Sequence, residues 1–185
     1  MGDVELQRLD GAQTRAHFEE IQVVYAAAFP GNDLGDHEHR TMGQAASAGF
    51  ETVTASTQGT LVGFVYGLPL SLHSAWWKGL KPSRSDDFTA ETGRRTFAVI
   101  DLAVLPSHRG QGLGRRLMDE LLGSRSEERA TLATNPDERG VQQMYERWGW
   151  SRVGRVPGTA GETNPAFDLY VMALRSVPDS SSSSR

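Results

Sequence analysis

No cysteine occurs among the 185 residues. Disulfides, thiolate zinc sites and a cysteine nucleophile are therefore excluded, and any chemistry must use other groups. Long apolar runs are missing too: no stretch approaches the roughly 20 residues of a spanning helix. Met1 to Asp10 alternates polar and apolar residues where a secretory leader would carry a basic segment and an apolar core. A cytoplasmic location is the expectation. Positive charge is scarce, since 19 lysines and arginines face 23 aspartates and glutamates for a net charge of -4. Nucleic acid and anionic membranes are drawn to concentrated positive charge, and Arg94-Arg95 and Arg115-Arg116 are only pairs, so neither is an expected partner. A small molecule or peptide fits better.

What is present is an ordinary globular composition, 38% hydrophobic and 23% charged. The length suits one α/β domain, expected over residues 1–175. Ser180 to Ser184 are consecutive serines that cannot build a core, so 176–185 are expected to be a disordered tail. Val4, Leu6 and Leu9 suggest an opening strand, and Phe18, Ile21, Val24, Tyr25 and Phe29 recur at helical spacing. A second, polar helix is expected from Asp36 to Ala48. Phe50 to Thr57 and Thr60 to Gly67, separated by Gln58-Gly59, read as a hairpin. Leu68 to Arg95, with Trp76, Trp77 and Pro82, lacks periodicity and is long for a loop in a compact domain; it reads either as a lid over a substrate or as a segment anchored by its tryptophans.

Thr96 to Leu105 is nearly continuous apolar sequence broken by Asp101, as in a central strand covered on both faces. Leu113, Leu117, Met118, Leu121 and Leu122 then mark one stripe of a helix. A short strand at Ala130 to Thr134, a helix carrying Val141, Met144, Tyr145 and Trp148, and closing strands at Ser151 to Val156 and Phe167 to Leu174 complete the order.

Between strand and helix lies His108-Arg109-Gly110-Gln111-Gly112-Leu113-Gly114-Arg115-Arg116. Free amides in a helix's first turn, its partial positive charge and glycines that admit close approach together favour a phosphate. Arg109 and Arg115 are candidates for charge-assisted contacts. A dinucleotide fingerprint would need glycine where Arg115 stands, and a P-loop would need Gly-Lys-Ser/Thr where Arg115-Arg116-Leu117 stand. What remains, Arg109-x-x-Gly112-x-Gly114, resembles the coenzyme A pyrophosphate loop of the GCN5-related N-acetyltransferase (GNAT) family. Asp101-Leu102-Ala103-Val104-Leu105-Pro106-Ser107-His108 resembles that family's fourth strand, and Asn135 to Trp150, with Tyr145-Glu146-Arg147-Trp148-Gly149-Trp150, resembles its tyrosine-bearing helix.

The resemblance implies a mixed, mostly antiparallel central sheet flanked by helices, with parallel fourth and fifth strands that splay apart. It implies acetyl-CoA as acyl donor and a primary amine of a small molecule or peptide as acceptor, attacking directly in a ternary complex. Cofactor contacts are carried to the backbones of Leu102, Ala103 and Val104, to Arg109, Gly110, Gln111, Gly112, Leu113, Gly114 and Arg115, and to Asn135. The implied catalytic residues are Tyr145, as acid for the coenzyme A thiolate, and Asp101, as nearest carboxylate for the base. Many members place a glutamate at the position of Ala98, and its absence motivates an alternative, a non-catalytic acyl-CoA sensor or scaffold. Glu91, His73 and an ordered water are other candidate bases. Family habit suggests a homodimer. Asp36-His37-Glu38-His39 groups two histidines with two carboxylates, but neighbours one and two apart on a helix do not share a face, so no metal is expected and the run reads as solvated surface.

Overall fold

A computed structural model of the protein describes residues 3–159, 162 and 164–174. The tail expected over 176–185 lies outside the described residues. The elements are β1 (Val4–Asp10), α1 (Gly11–Ala16), α2 (Phe18–Ala28), α3 (Leu34–Gln44), β2 (Glu51–Thr57), β3 (Thr60–Pro69), α4 (Asp86–Thr89), β4 (Thr96–Val104), α5 (Leu113–Gly123), β5 (Arg129–Thr134), α6 (Arg139–Arg147), β6 (Ser151–Pro157) and β7 (Ala166–Ala173). Strand order is β1-β2-β3-β4-β5-β7-β6. The expected mixed α/β, mostly antiparallel sheet is therefore what the chain builds. Among the described residues no helix is long and apolar enough to cross a membrane. Contacts group the chain into two compact units, Met1–Pro69 with Ala98–Ser124 and Leu70–Phe97 with Arg125–Arg185.

In the first unit β1 pairs antiparallel with β2, and β2 with β3. The β2–β3 turn has φ of 51° at Gln58 and 75° at Gly59. Two consecutive positive values are the mark of a type I′ turn, whose twist matches that of the flanking strands. Asp10 opens α1 with a capping box closed by Gln13, a local signal that separates α1 from the single helix suggested by the apolar spacing. Asp33 accepts from the Asp36 amide and so sets the start of α3 two residues earlier than the polar pattern indicates. Ile21, Val24 and Tyr25 of α2 pack with Ala45, Phe50, Phe64, Tyr66 and Ala103 in one buried cluster. The apolar stripe of α5, Leu113, Leu117, Met118, Leu121 and Leu122, is buried along its whole length. Burial of such a stripe, not helix propensity, supplies most of a short helix's stability.

In the second unit β7 pairs antiparallel with both β5 and β6. The segment after β3 is fastened down. Trp77 is 6% exposed, and its indole donates to Glu91 Oε1 at 2.8 Å. The same oxygen accepts from Thr96 Oγ1 at 2.8 Å and from Arg129 at 3.1 Å. Arg129 also donates to the Phe88 carbonyl, and its guanidinium lies 4.9 Å from the Trp77 ring centre and 4.6 Å from that of Phe88. Trp76 donates to Thr131 Oγ1 at 3.0 Å, and Lys81 pairs with Arg155 as an isolated antiparallel bridge. Of the two readings of this stretch, the tryptophans act as anchors. Glu91 is committed to holding them and is not a solvent-facing base.

Candidate active site

The glycine turn follows β4 through a short 3-10 turn at Pro106–His108. Gly110 and Gly112 have φ of 73° and 76°, left-handed values that cost a side-chain-bearing residue about 1–2 kcal/mol. A Cβ built on either glycine would meet nothing within 4 Å, so the turn presents bare backbone to open space. Gly112 is the N-cap of α5 and supplies no side-chain cap. By helix geometry the amides of Leu113 and Gly114 have no acceptor within α5. The first turn carries no acidic residue, while Arg115 and Arg116 stand there and Arg109 just before. Cations at the positive end of a helix dipole are unfavourable unless an anion sits with them.

The side chains of the turn are largely spoken for. Arg109 donates to the Val104 carbonyl and to the Ala28 carbonyl, each at 3.1 Å, tying the turn to the ends of β4 and α2. Arg115 forms a bidentate pair with Asp119 at 2.8 and 2.9 Å. Gln111 donates to the Ser107 carbonyl at 3.3 Å, and Leu113 is buried. The chemistry the turn offers is thus mainly that of its main chain. Leu102 and Val104 are half-buried and Ala103 is buried between them, as a strand's alternation requires.

Asp101 lies on the same strand, its side chain 17% exposed. Its Oδ2 accepts from the Tyr66 hydroxyl at 2.5 Å. Tyr66 is wholly buried and also lies 3.0 Å from Thr41 Oγ1 and 3.4 Å from His37 Nε2. His37 itself is 0% exposed, and its ring stacks on Tyr25 with centres 3.6 Å apart and planes 8° apart. The sequence reading of Asp36 to His39 as solvated surface is corrected here. Asp36, Glu38 and His39 are exposed, but His37 faces the core. Spacing alone does not say which residue of a polar run faces inward. Among the described residues no cluster of three or more potential ligands is placed to hold a metal.

Burial pushes the Asp101 carboxyl above its ordinary value, while the hydrogen bond from Tyr66 and the charge of Arg40 pull it back. Burial also raises the Tyr66 phenol, and the Asp101 charge adds to that. His37 is lowered to about 4 by burial and by Arg40, with Asp36 opposing. The imidazole is therefore neutral near pH 7. No spacing signal linked these three residues, which come from α3, β3 and β4.

In the second unit Tyr145 is buried on α6, edge-on to Trp148 and Trp150 with ring centres 5.6 and 6.1 Å away. Asn135 leaves β5 in an Asx turn, its Oδ1 accepting from the Asp137 amide at 3.0 Å. Ala98 is buried in β4.

A model of the acetyltransferase (GNAT) family matches residues 17–150, more than half of the chain. The chain belongs to the GNAT family. This GNAT chain is 29% identical over 111 residues to a GCN5-like protein acetyltransferase of Mycobacterium tuberculosis, a match over 55% of the chain and 53% of the relative. It thus spans about half the length of that curated relative. Among solved structures, Arabidopsis thaliana NAA60 in complex with acetyl-CoA aligns at 14% identity over 93% of this chain and 99% of that one, with a TM-score of 0.66. Aminoglycoside 6'-acetyltransferase type Ii aligns at 18% identity over 94% and 99%, with a TM-score of 0.65. The ribosomal-protein-S18-alanine N-acetyltransferase of Escherichia coli aligns at 12% identity over 96% and 98%, with a TM-score of 0.62. At such identities the likeness is one of fold, and the GNAT chain's acceptor does not follow from it.

Proposed function

We propose that this GNAT protein transfers the acetyl group of acetyl-CoA to a primary amine of a small molecule or peptide, by direct attack in a ternary complex. The observation that carries the reading is the mouth of α5, where glycine backbone lies open, Arg109, Arg115 and Arg116 stand near it, and the helix's first turn holds no acidic residue. A diphosphate satisfies both features: its oxygens accept from the Leu113 and Gly114 amides, and its charge offsets the arginines and the helix dipole. Arg109 acts indirectly, holding the turn against β4 and α2. Further along the donor, the Leu102 to Val104 backbone pairs with the extended pantetheine arm in the manner of an added strand.

Bound acetyl-CoA supplies an activated acyl carbon, and the chain's residues manage the protons. Asp101, still reached by solvent, takes the proton of the attacking amine when it is in its ionised form. A main-chain amide near Val104 polarises the carbonyl oxygen. Tyr145 gives a proton to the departing thiolate. Asp101 favours catalysis over a sensor that kept only the cofactor turn, because its carboxylate is held by a buried donor and is not an idle surface charge. Titration calorimetry with acetyl-CoA and coenzyme A, followed by mass detection of products across an amine panel, tests the whole. Tight association with no product on any amine leaves the sensor, and no association removes both.

A further inference from the structure

The buried cluster beside Asp101 assigns a task to a residue that neither the sequence motifs nor the family match singles out. A phenol carries one proton. With Asp101 ionised, the Tyr66 proton goes to Oδ2 over the 2.5 Å contact. The other two neighbours of that hydroxyl, Thr41 Oγ1 and His37 Nε2, must then donate to the Tyr66 oxygen. This donor count fixes the His37 tautomer as Nε2-H and leaves Nδ1 a bare lone pair. Independently, His37 Nδ1 is a buried atom with no hydrogen-bond partner. A proton there would be an orphaned donor, which costs more than an unused acceptor. Proton counting and burial thus agree on one arrangement, a chain of donors running from α3 through β3 to the carboxylate on β4.

We propose that Tyr66 is a positioning residue for acetyl transfer: aimed by His37 and Thr41, it fixes Asp101 through Oδ2 and leaves Oδ1 to take the proton of the incoming amine. The inference rests on Asp101 acting as the base. Among the described residues nothing donates to Oδ1. The proton count closes without Tyr66 being consumed. The amine nitrogen bonds to the acyl carbon, the carbon-sulfur bond breaks, the amine's proton goes to Oδ1, and the thiolate takes its proton from Tyr145. Solvent exchange returns Asp101 and Tyr145 to their starting forms, and Tyr66 keeps its own proton throughout. Titratable and charged groups that face the cluster are Tyr66 on β3, His37, Arg40 and Asp36 on α3, and Tyr25 on α2. Of these, Tyr66 and Arg40 act on Asp101 directly, and both stabilise its charged form.

The test is Tyr66→Phe in the full chain, which keeps the ring that packs on Phe50 and Phe64 and deletes only the hydroxyl. Loss of a hydrogen bond to a charged group corresponds to a fall of about tenfold in kcat at neutral pH. The acidic limb of the kcat/KM profile moves to higher pH because Asp101 has lost a donor, and the rate recovers toward that of the native protein above the displaced limb. KM for the amine and acetyl-CoA affinity stay within about twofold. Packing damage alone would lower the rate at every pH. Thr41→Val, which removes one donor to Tyr66, shifts the limb the same way by less and serves if the phenylalanine variant does not fold. Titration of the Asp101 carboxyl by carbon-13 NMR reads the same displacement without turnover. An acidic limb and a carboxyl titration unmoved by both variants, in a protein whose native form acetylates amines, overturn the inference alone. Native protein that binds acetyl-CoA and acetylates no amine overturns the base and Tyr66's part with it.

Discussion

Asp101 meets two demands that pull against each other. A base must be ionised at working pH, yet a carboxylate fully open to water is too weakly basic to take a proton from an amine efficiently. Burial raises its pKa, Tyr66 and Arg40 limit the rise, and the side chain keeps a 17% opening to solvent. Asp101→Asn preserves size and removes the basic oxygen, so kcat should fall about 100-fold, with acetyl-CoA affinity unchanged by calorimetry. The sign with pH follows from which form works. Activity is present while Asp101 is ionised and is lost as pH falls through its pKa, so the native acidic limb lies above the ordinary carboxylate value. An asparagine variant as fast as the native protein would move the base elsewhere. Tyr145→Phe addresses the other proton. It retains the edge-on packing with Trp148 and Trp150 and should lower the rate of a single turnover by about 100-fold with little effect on Tm.

At the scale of elements, the mouth of α5 is where backbone conformation carries function. Gly112→Val asks a branched residue to hold φ near 76° at a point where no neighbouring atom obstructs it. The turn should relax toward ordinary values and misalign the first-turn amides, weakening acetyl-CoA binding by about tenfold. Calorimetry reads the loss, and near-native Tm separates it from unfolding. The segment after β3 responds differently. Removing its carboxylate with Glu91→Ala leaves the Arg129 guanidinium buried against Trp77 and Phe88 without its charge partner, at a cost of about 3 kcal/mol. Chemical denaturation should show that loss. This contrast also explains what could be read from the sequence. The Gln58-Gly59 hairpin, the apolar β4, the glycine turn and the α5 stripe depend on neighbours within a few residues, and all were legible. The Glu91 network joins residues 77, 91, 96 and 129, and the Asp101 cluster joins 37, 41, 66 and 101. Such pairings exist only once strands have fixed their register, and a lone histidine in a polar run carries no mark that it faces inward.

For the molecule as a whole, the buried polar groups shape how stability varies with pH. His37 titrates near 4 in the fold against an ordinary 6.5, so between those values the unfolded chain binds a proton that the native state refuses. The contribution of neutral His37 is complete above about 6.5 and is lost as pH falls toward 4. Asp101 works in the opposite sense. With its folded pKa raised, it favours the native state at low pH and loses that contribution as pH rises through the folded value. Asp168 adds a third dependence, at lower pH. Hydrogen bonds from Arg155, Arg152 and Gln142 hold it below the carboxylate range despite burial, so its stabilisation is present above the unfolded pKa and fades only in strong acid. Between pH 6.5 and 4 the His37 and Asp101 dependences run in opposite directions, so the His37 part is isolated by comparison with a variant that lacks the imidazole. His37→Gln keeps an amide donor for Tyr66 and removes the titration. Measured by urea unfolding, the stability of the native protein should fall relative to that of the variant as pH drops across that window. Far-UV circular dichroism is the suitable probe, because all four tryptophans lie in the second unit and His37 in the first. Parallel curves for the two proteins would mean that the folded imidazole takes up its proton as readily as in the unfolded chain, and the bare Nδ1 of the donor count would have to be redrawn.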